Sequence, residues 1–161
     1  DMSKPYAMRR TPGGEREVEV YDIATILMRL KNGAAGHIAI SRTMWGRKNR
    51  IALTIVGTRG TILFDQERLN EFQLCLTSDR AAENGFRTIL VGPQHEPYGR
   101  FVPAGGHSLG FGDLKTIECR QLVGRILGEQ TMSIGFEEGI QIERAVAAMA
   151  RSFEEQRWVE V

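Results

Sequence analysis

The sequence contains little that would favour an extracellular, membrane or nucleic-acid-binding protein. Cys75 and Cys119 are the two cysteines among 161 residues, too few for a disulfide framework or a four-thiolate zinc site, which favours a reducing compartment such as the cytoplasm. Lys and Arg number 21 against 20 Asp and Glu, so no net field attracts nucleic acid or an anionic membrane. No apolar run approaches the ~20 residues of a membrane span, and the start of the chain lacks the apolar stretch of a signal peptide. We therefore expect an ordinary globular domain without nucleic-acid or membrane partners.

Most sequence motifs of catalysis are also missing. The sequence has no P-loop, no H-E-x-x-H and no G-x-S-x-G, and no dinucleotide-binding fingerprint follows a strand. The segment Gly110-Phe111-Gly112 comes nearest to that fingerprint, but Lys115 stands in place of its third glycine. The three histidines, His37, His95 and His107, are far apart in the sequence, so no metal site is indicated. We predict that His37 packs on a sheet face and that His95 lies on the surface.

What the sequence does contain is a series of short apolar alternations separated by turn signals, typical of strands. Asn32-Gly33 separates the first two strands and predicts a hairpin, because both residues tolerate positive φ. Short strands joined by tight turns indicate antiparallel pairing, here in a sheet of six strands. One face of this sheet is predicted to be strongly apolar: Ile26, Met28, Leu30, Ile38, Ile40, Leu53 and Ile55. The other face is predicted to be lighter and mixed: Thr25, Leu27, Arg29, His37, Ala39, Ser41, Ala52, Thr54 and Val56.

Two helices are predicted after a long loop rich in glycine and proline. Apolar residues at helical spacing between Cys119 and Leu127 indicate the first helix. Asp113 stands at its expected N-cap and Gly128 at its expected C-terminal stop. The same spacing between Ile142 and Phe153 indicates the second helix, with acidic residues in its first turn.

Strands followed by helices indicate an α+β fold, an open, mostly antiparallel β-sheet with helices packed on one face. Residues 1–17 are polar and turn-rich, so we predict an arm or linker there and the domain over residues 18–161. Arg157–Val161 is predicted to form a closing strand. Because the chain begins with Asp1, we expect a piece of a longer protein.

The best local candidate for a functional site is the segment Gly105–Asp113. It combines a flexible backbone with His107, Ser108, Phe111 and Asp113 just before a predicted helix. A neutral polyol needs such groups, since carboxylate and imidazole bond its hydroxyls and a ring covers its apolar face. Two other interpretations stay open: Asp113 only caps the helix while the glycines only form turns, or His107 and Asp113 act as acid and base in a small independent enzyme.

Five segments, taken in order, resemble the C-terminal domain of the glucose–fructose oxidoreductase, inositol dehydrogenase and rhizopine catabolism (Gfo/Idh/MocA) family. They are segments 30–38 (LKNGAAGHI), 55–62 (IVGTRGTI), 107–113 (HSLGFGD), 136–139 (FEEG) and 157–161 (RWVEV). The resemblance extends from about residue 18 to residue 161. It implies a domain that follows a Rossmann domain, in a dehydrogenase that passes hydride between NAD or NADP and a sugar, inositol or related polyol.

For this chain the resemblance implies that His107, Ser108, Phe111 and Asp113 bind the substrate and that the sheet forms the oligomer interface. The family's Glu-Lys-Pro motif and its Asp-x-x-x-His pair do not occur in the sequence. The resemblance therefore implies no catalytic residue, no cofactor-binding residue and no activity in this chain alone, with NAD or NADP bound only in the full-length protein. The alternative is a stand-alone carbohydrate-binding or assembly module with no catalytic activity.

Overall fold

A computed structural model describes residues 8–17 and 21–161 of the chain. Within the predicted arm, strands β1 (Met8–Thr11) and β2 (Gly14–Glu17) pair as an antiparallel hairpin. Residues 1–7 and 18–20 lie outside the described residues, and the boundary at residue 18 stays a prediction. By contact density the chain forms two compact units, one of residues 1–47 and 139–161 and one of residues 48–138.

The first unit contains the hairpin of β3 (Ile23–Arg29) and β4 (Ala35–Ser41). The predicted turn is confirmed: Gly33 has φ +87°, and Asn32 Oδ1 accepts a 3.1 Å hydrogen bond from the Ala34 amide. Antiparallel pairing puts opposite residues on one face. The face containing the pair Ile26–Ile38 is half-buried, and the face containing the pair Leu27–His37 is the more exposed one. The two predicted faces of this hairpin are therefore confirmed.

The second unit contains an antiparallel sheet whose four strands follow chain order. They are β5 (Ala52–Gly57), β6 (Gly60–Asp65), β7 (Glu71–Leu76) and β8 (Arg87–Leu90). The register places Leu53, Phe64, Phe72 and Ile89 in one row across the sheet. Gly60 begins β6 with φ +155°, and a Cβ there would collide with the carbonyl oxygen of Cys75, so the tight β5–β6 turn requires glycine.

The α+β class with open, antiparallel sheets is confirmed, but the six predicted strands do not form one hydrogen-bonded sheet. β3–β4 and β5–β8 are separate sheets among the described residues. The connection from β4 to β5 contains two left-handed residues, Gly46 with φ +88° and Asn49 with φ +61°. Because a residue with positive φ does not continue a strand, this connection cannot be extended throughout. The packing of the helices on one sheet face stays a prediction.

Helix α1 (Phe111–Ile126) begins earlier than the sequence predicted. Asp113 is not its N-cap; Gly110 is, and the Asp113 Oδ2 accepts a 2.8 Å hydrogen bond from the Gly110 amide. A carboxylate in the third helical position can reach back to the N-cap amide, so the same residue satisfies the helix end from inside. The predicted stop is confirmed: Gly128 has φ +82° and its amide donates to the Arg125 carbonyl at 3.1 Å.

Helix α2 (Phe136–Glu155) carries Glu137 and Glu138 in its first turn, as predicted. The Gly135 amide donates to Glu138 Oε2 at 2.7 Å and lowers the pKa of that carboxyl, together with the helix backbone at Glu138 and the Arg125 guanidinium. The predicted closing strand is wrong, since residues 157–161 form no strand. The chain leaves α2 through Gln156 at φ +52°, and the Arg157 carbonyl accepts a 2.7 Å bond from the Ser152 hydroxyl instead of a strand partner.

Asp79 connects the end of β7 to β8. Its Oδ2 accepts a 2.8 Å bond from the Leu76 amide, and its Oδ1 accepts a 2.8 Å bond from the Arg87 guanidinium. The hydrogen bond from Arg87 and then that from Leu76 lower the pKa of Asp79. A carboxyl whose pKa is lower in the folded than in the unfolded chain stabilises the fold at pH values above its unfolded-state pKa. This contribution is lost as the pH falls through its folded-state pKa.

The Asp79→Asn variant should therefore unfold at lower urea concentration than the wild type at pH 7. The difference should shrink as the pH falls below about 4, where aspartate is protonated in the unfolded chain. Urea unfolding at pH 7, 5 and 3 measures it. Glu83→Gln is the matched control, because the Arg80–Glu83 pair is exposed and 3.5 Å long. If the urea midpoint of Asp79→Asn lies below that of the wild type by the same amount at all three pH values, the Asp79 charge does not contribute to stability.

Candidate functional site

Leu109 is the anchored residue of the loop that precedes α1. Its amide donates to Asn70 Oδ1 at 2.7 Å, and its carbonyl accepts from Asn70 Nδ2 at 2.9 Å. Its side chain, 7% exposed, packs in a buried cluster with Val102 and Ile117. Because Asn70 holds its backbone and the apolar cluster holds its side chain, Leu109 fixes the position of the residues next to it.

The four predicted site residues lie directly around this anchor, and all four are exposed. His107 and Ser108 precede Leu109, and Phe111 and Asp113 follow it in the first turn of α1. The imidazole, hydroxyl, ring and carboxylate that the sequence singled out are thus all accessible to a ligand on one short segment.

The His107 ring is oriented by its own loop. Its Nδ1 lies 3.2 Å from the Ala104 carbonyl oxygen. Since a carbonyl only accepts hydrogen bonds, Nδ1 carries the proton in this contact, and Nε2 of the neutral ring is then an acceptor. His107 can thus accept a hydrogen bond from a ligand hydroxyl.

Phe111 adds an exposed ring beside the His107 acceptor, and Asp113 adds a second acceptor. The Phe111 side chain is 66% exposed, and Lys115 Nζ lies 5.6 Å from its ring centroid. One carboxylate oxygen of Asp113 caps α1, but a carboxylate accepts at both oxygens. Capping and ligand binding by Asp113 are therefore compatible.

The other two histidines lie elsewhere. The prediction of a surface position for His95 is wrong: its side chain is partly buried, its Nδ1 accepts a 3.2 Å bond from the Gly92 amide, and its ring stands edge-on to Phe72 at 6.5 Å between centroids. His37 lies on the exposed face of the β3–β4 hairpin opposite Leu27.

Across residues 8–17 and 21–161, no three His, Cys, Asp or Glu side chains form a cluster that could hold a metal.

Sequence reasoning missed Asn70. It lies 39 positions before Leu109, in the turn between β6 and β7. An asparagine in a turn is explained by local backbone bonding alone, so no signal in the sequence connects it with the His107 loop.

The residues around the start of α1 do not fit a dinucleotide. A pyrophosphate bound at a helix N-terminus needs unoccupied amides and no competing negative charge. Here the Gly110 amide donates to the Asp113 carboxylate, which would repel a phosphate. None of the described helices is long and apolar enough to cross a bilayer.

Comparison with known proteins gives consistent matches over nearly the whole chain. The Gfo/Idh/MocA family model described as "Oxidoreductase family, C-terminal alpha/beta domain" matches residues 3–161. A levoglucosan dehydrogenase from Pseudarthrobacter phenanthrenivorans is 35% identical over 155 residues, which are 96% of this chain and 40% of that protein. This chain thus spans about two fifths of that relative's length.

Solved structures agree with that match. Levoglucosan dehydrogenase in complex with NADH and L-sorbose has a TM-score of 0.88 at 35% identity, covering 96% of this chain and 41% of that one. An NAD binding oxidoreductase from Klebsiella pneumoniae has a TM-score of 0.87 at 37% identity, covering 95% of this chain and 41% of that one.

Proposed function

This chain belongs to the Gfo/Idh/MocA oxidoreductase family as its C-terminal α/β domain, and we propose that it forms the substrate side of an NAD- or NADP-dependent dehydrogenase of a sugar, inositol or related polyol. The observation that carries this proposal is the loop anchored at Leu109 by Asn70, which presents His107, Ser108 and Phe111 at the surface. Solved relatives support it, since levoglucosan dehydrogenase is known in complex with NADH and levoglucosan and with NADH and L-sorbose.

In this proposal the loop binds and orients the substrate but does not carry out the chemistry. His107 Nε2 accepts from one substrate hydroxyl, and the Ser108 hydroxyl donates to or accepts from another. Phe111 covers an apolar face of the ring. The second oxygen of Asp113 accepts from a further hydroxyl while the first keeps α1 capped. The cofactor and the catalytic groups belong to the part of the full-length protein outside this chain, because the residues around α1 do not fit a dinucleotide.

Exposed apolar side chains support contact with such a further domain. Large apolar side chains from the end of α1 to the first residue of α2 are mostly exposed, Phe136 the most at 95%. The others are Ile126, Leu127, Met132 and Ile134. We name these five side chains the apolar patch, since exposed apolar surface of this kind often marks an interaction site. We assign this patch to the nucleotide-binding part of the full-length protein, which we place in the cytoplasm.

We also propose that the chain associates with itself through the more exposed face of the β3–β4 hairpin. Leu27 on this face is 67% exposed, and its neighbours Thr25 and Ala39 are small. Small side chains let two sheets approach to the ~10 Å spacing of stacked sheets. The same face also supports the second candidate, an assembly module without activity, and kinetics of the full-length protein separates the two.

The His107→Ala variant of the full-length enzyme tests the substrate role. Loss of one hydrogen bond costs about 0.5–1.5 kcal/mol, which corresponds to a decrease in kcat/KM of roughly 2- to 12-fold with levoglucosan or L-sorbose as substrate. The affinity for NADH should remain that of the wild type, since the loop does not fit the cofactor.

A thermal unfolding measurement is the control, because the exposed His107 ring contributes little to the fold. Wild-type kcat/KM in this variant, or an equal loss of NADH affinity, would remove His107 from the substrate site.

A further inference from the structure

His95 is a partly buried histidine that the proposed function does not use. Its Nδ1 accepts a 3.2 Å hydrogen bond from the Gly92 amide. Because an amide only donates, Nδ1 carries no proton in this contact, and the neutral ring carries its proton on Nε2. Gly92 is buried, and a buried amide left without an acceptor costs more free energy than one hydrogen bond contributes. The imidazole therefore serves as the acceptor for the amide of a buried residue.

The His95 ring also contacts the four-stranded sheet of the same unit. It stands edge-on to Phe72 with 6.5 Å between the ring centroids, and Phe72 belongs to the apolar row that crosses β5 to β8. Aromatic rings at this separation favour an edge-to-face arrangement. One side chain therefore connects the turn at Gly92 with the sheet.

From His95, backbone hydrogen bonds lead to the apolar cluster that holds Leu109. The His95 carbonyl accepts a 2.8 Å bond from the Tyr98 amide, and the Tyr98 carbonyl accepts a 2.8 Å bond from the Val102 amide. Val102 is 3% exposed and packs with Leu109 and Ile117. The position of Val102 beside Leu109 thus depends on the turn that His95 closes.

The segment of residues 91–102 is also tied to Asn70, the residue that anchors the His107 loop. The Asn70 main-chain carbonyl accepts a 2.8 Å bond from the Val91 amide, while the Asn70 side chain bonds both peptide groups of Leu109. The segment is therefore held to Asn70 at its start and reaches Leu109 at its end. These contacts form a closed circuit, and the His95 side chain closes its first turn.

We propose that His95 is a positioning residue for the His107 loop, and that its Nδ1 acceptor keeps this loop in the conformation that binds substrate. Without that acceptor the turn at Gly92 opens, Val102 loses its fixed place beside Leu109, and the loop also adopts conformations that do not bind. This inference rests on the substrate role proposed for the His107 loop. A ligand binds more weakly in proportion to the fraction of protein that is competent to bind. The expected result of losing the acceptor is thus a raised KM with a kcat near that of the wild type.

Three substitutions of His95 in the full-length enzyme isolate the acceptor. His95→Ala removes it and should raise KM about 5-fold or more for the substrate used with His107→Ala, while kcat and the affinity for NADH stay within about 2-fold of the wild type. His95→Asn places Oδ1 near the position of Nδ1 and should restore most of the wild-type KM. His95→Gln places its amide group near the position of Nε2 and should resemble His95→Ala. Gln94→Ala is the matched control, since Gln94 is the exposed neighbour of His95, and it should behave like the wild type.

Hydrogen exchange of the full-length enzyme without substrate reports on the loop independently of activity. The Leu109 amide is bonded to the Asn70 side chain, and amides exchange faster where the structure opens locally. Exchange in the peptide that covers residues 105–113 should therefore be faster in His95→Ala and His95→Gln than in the wild type and His95→Asn.

These measurements let the two proposals fail separately. Faster exchange of residues 105–113 in His95→Ala with an unchanged KM would support the positioning by His95 and overturn the substrate role of the loop. A raised KM in His107→Ala, together with wild-type exchange and KM in His95→Ala, would overturn the positioning role alone. A lower kcat with unchanged KM in all three His95 variants would also overturn it, because a residue that only supports the fold changes the amount of active enzyme. If His95→Ala does not fold, the comparison of His95→Asn with His95→Gln decides, and equal KM values in those two variants would contradict the proposal.

Discussion

Replacement of Asn70 by alanine should lower the free energy of unfolding by about 2 kcal/mol, because it removes two hydrogen bonds worth roughly 0.5–1.5 kcal/mol each. Both bonds end on the peptide groups of Leu109, whose side chain is buried. The loss leaves an amide and a carbonyl beside the Val102–Ile117 cluster without their partner. Urea unfolding of the wild type and the variant measures the difference.

The same variant should reduce kcat/KM of the full-length enzyme more than His107→Ala does. His107→Ala removes one contact, whereas loss of Asn70 releases the segment that carries all four proposed substrate contacts. Asn70→Asp separates the two bonds, since it keeps an acceptor for the Leu109 amide but loses the donor to the Leu109 carbonyl. The stability of Asn70→Asp should therefore lie between those of the wild type and Asn70→Ala, or fall below that of Asn70→Ala if the Leu109 carbonyl oxygen repels the new charge.

Asn84→Ala is the matched control, since the Asn84 side chain is exposed and accepts only a 3.6 Å contact from Cys75 Sγ. It should unfold within about 0.5 kcal/mol of the wild type, as surface substitutions usually do. Wild-type stability and kinetics in Asn70→Ala would show that the loop is held by its apolar cluster alone.

Those features of the fold that depend on a few neighbouring residues could be predicted from the sequence. Asn32-Gly33 specified its hairpin because the positive φ that the turn needs is a property of the residues themselves. Gly128 specified the end of α1 for the same reason. The alternation of apolar residues gave the two faces of β3–β4, since successive side chains in a strand point to opposite faces.

The other features depend on contacts and conformations that the local sequence pattern does not determine. Asp113 is compatible with the N-cap and with the third helical position, and the structure uses the second. The tail from Arg157 has strand-like composition, yet the conformation of Gln156 and the Ser152 hydroxyl direct it elsewhere. Asn70 acts on a residue 39 positions away, a distance over which a single sequence contains no pairing signal. The four proposed site residues were chosen for their chemistry, but Asn70, which holds their loop, was not predicted.

The Ala39→Glu variant should dissociate the proposed self-association of the chain. Ala39 is exposed on the same face as Thr25 and Leu27, so the new carboxylate remains hydrated in a single chain and should leave its folding unchanged. In a sheet-to-sheet interface it would lose water, and the cost of an unpaired buried charge is several kcal/mol. We expect association at least about 100-fold weaker, since each 1.4 kcal/mol is a factor of ten. Sedimentation velocity at micromolar concentrations measures it.

A two-fold pairing makes this effect large, because a self-complementary patch brings the substitution into the interface twice. A stable pairing also needs at least about 1,000 Å² of buried surface, more than one alanine and its neighbours offer, so the whole exposed face of β3–β4 must take part. Leu27→Glu should therefore dissociate the assembly as well. Ala81→Glu is the matched control, since Ala81 is an exposed alanine in a short helical turn outside every strand. A monomeric wild type, or an Ala39→Glu variant that sediments like the wild type, would leave this face as an ordinary hydrated surface of an antiparallel hairpin.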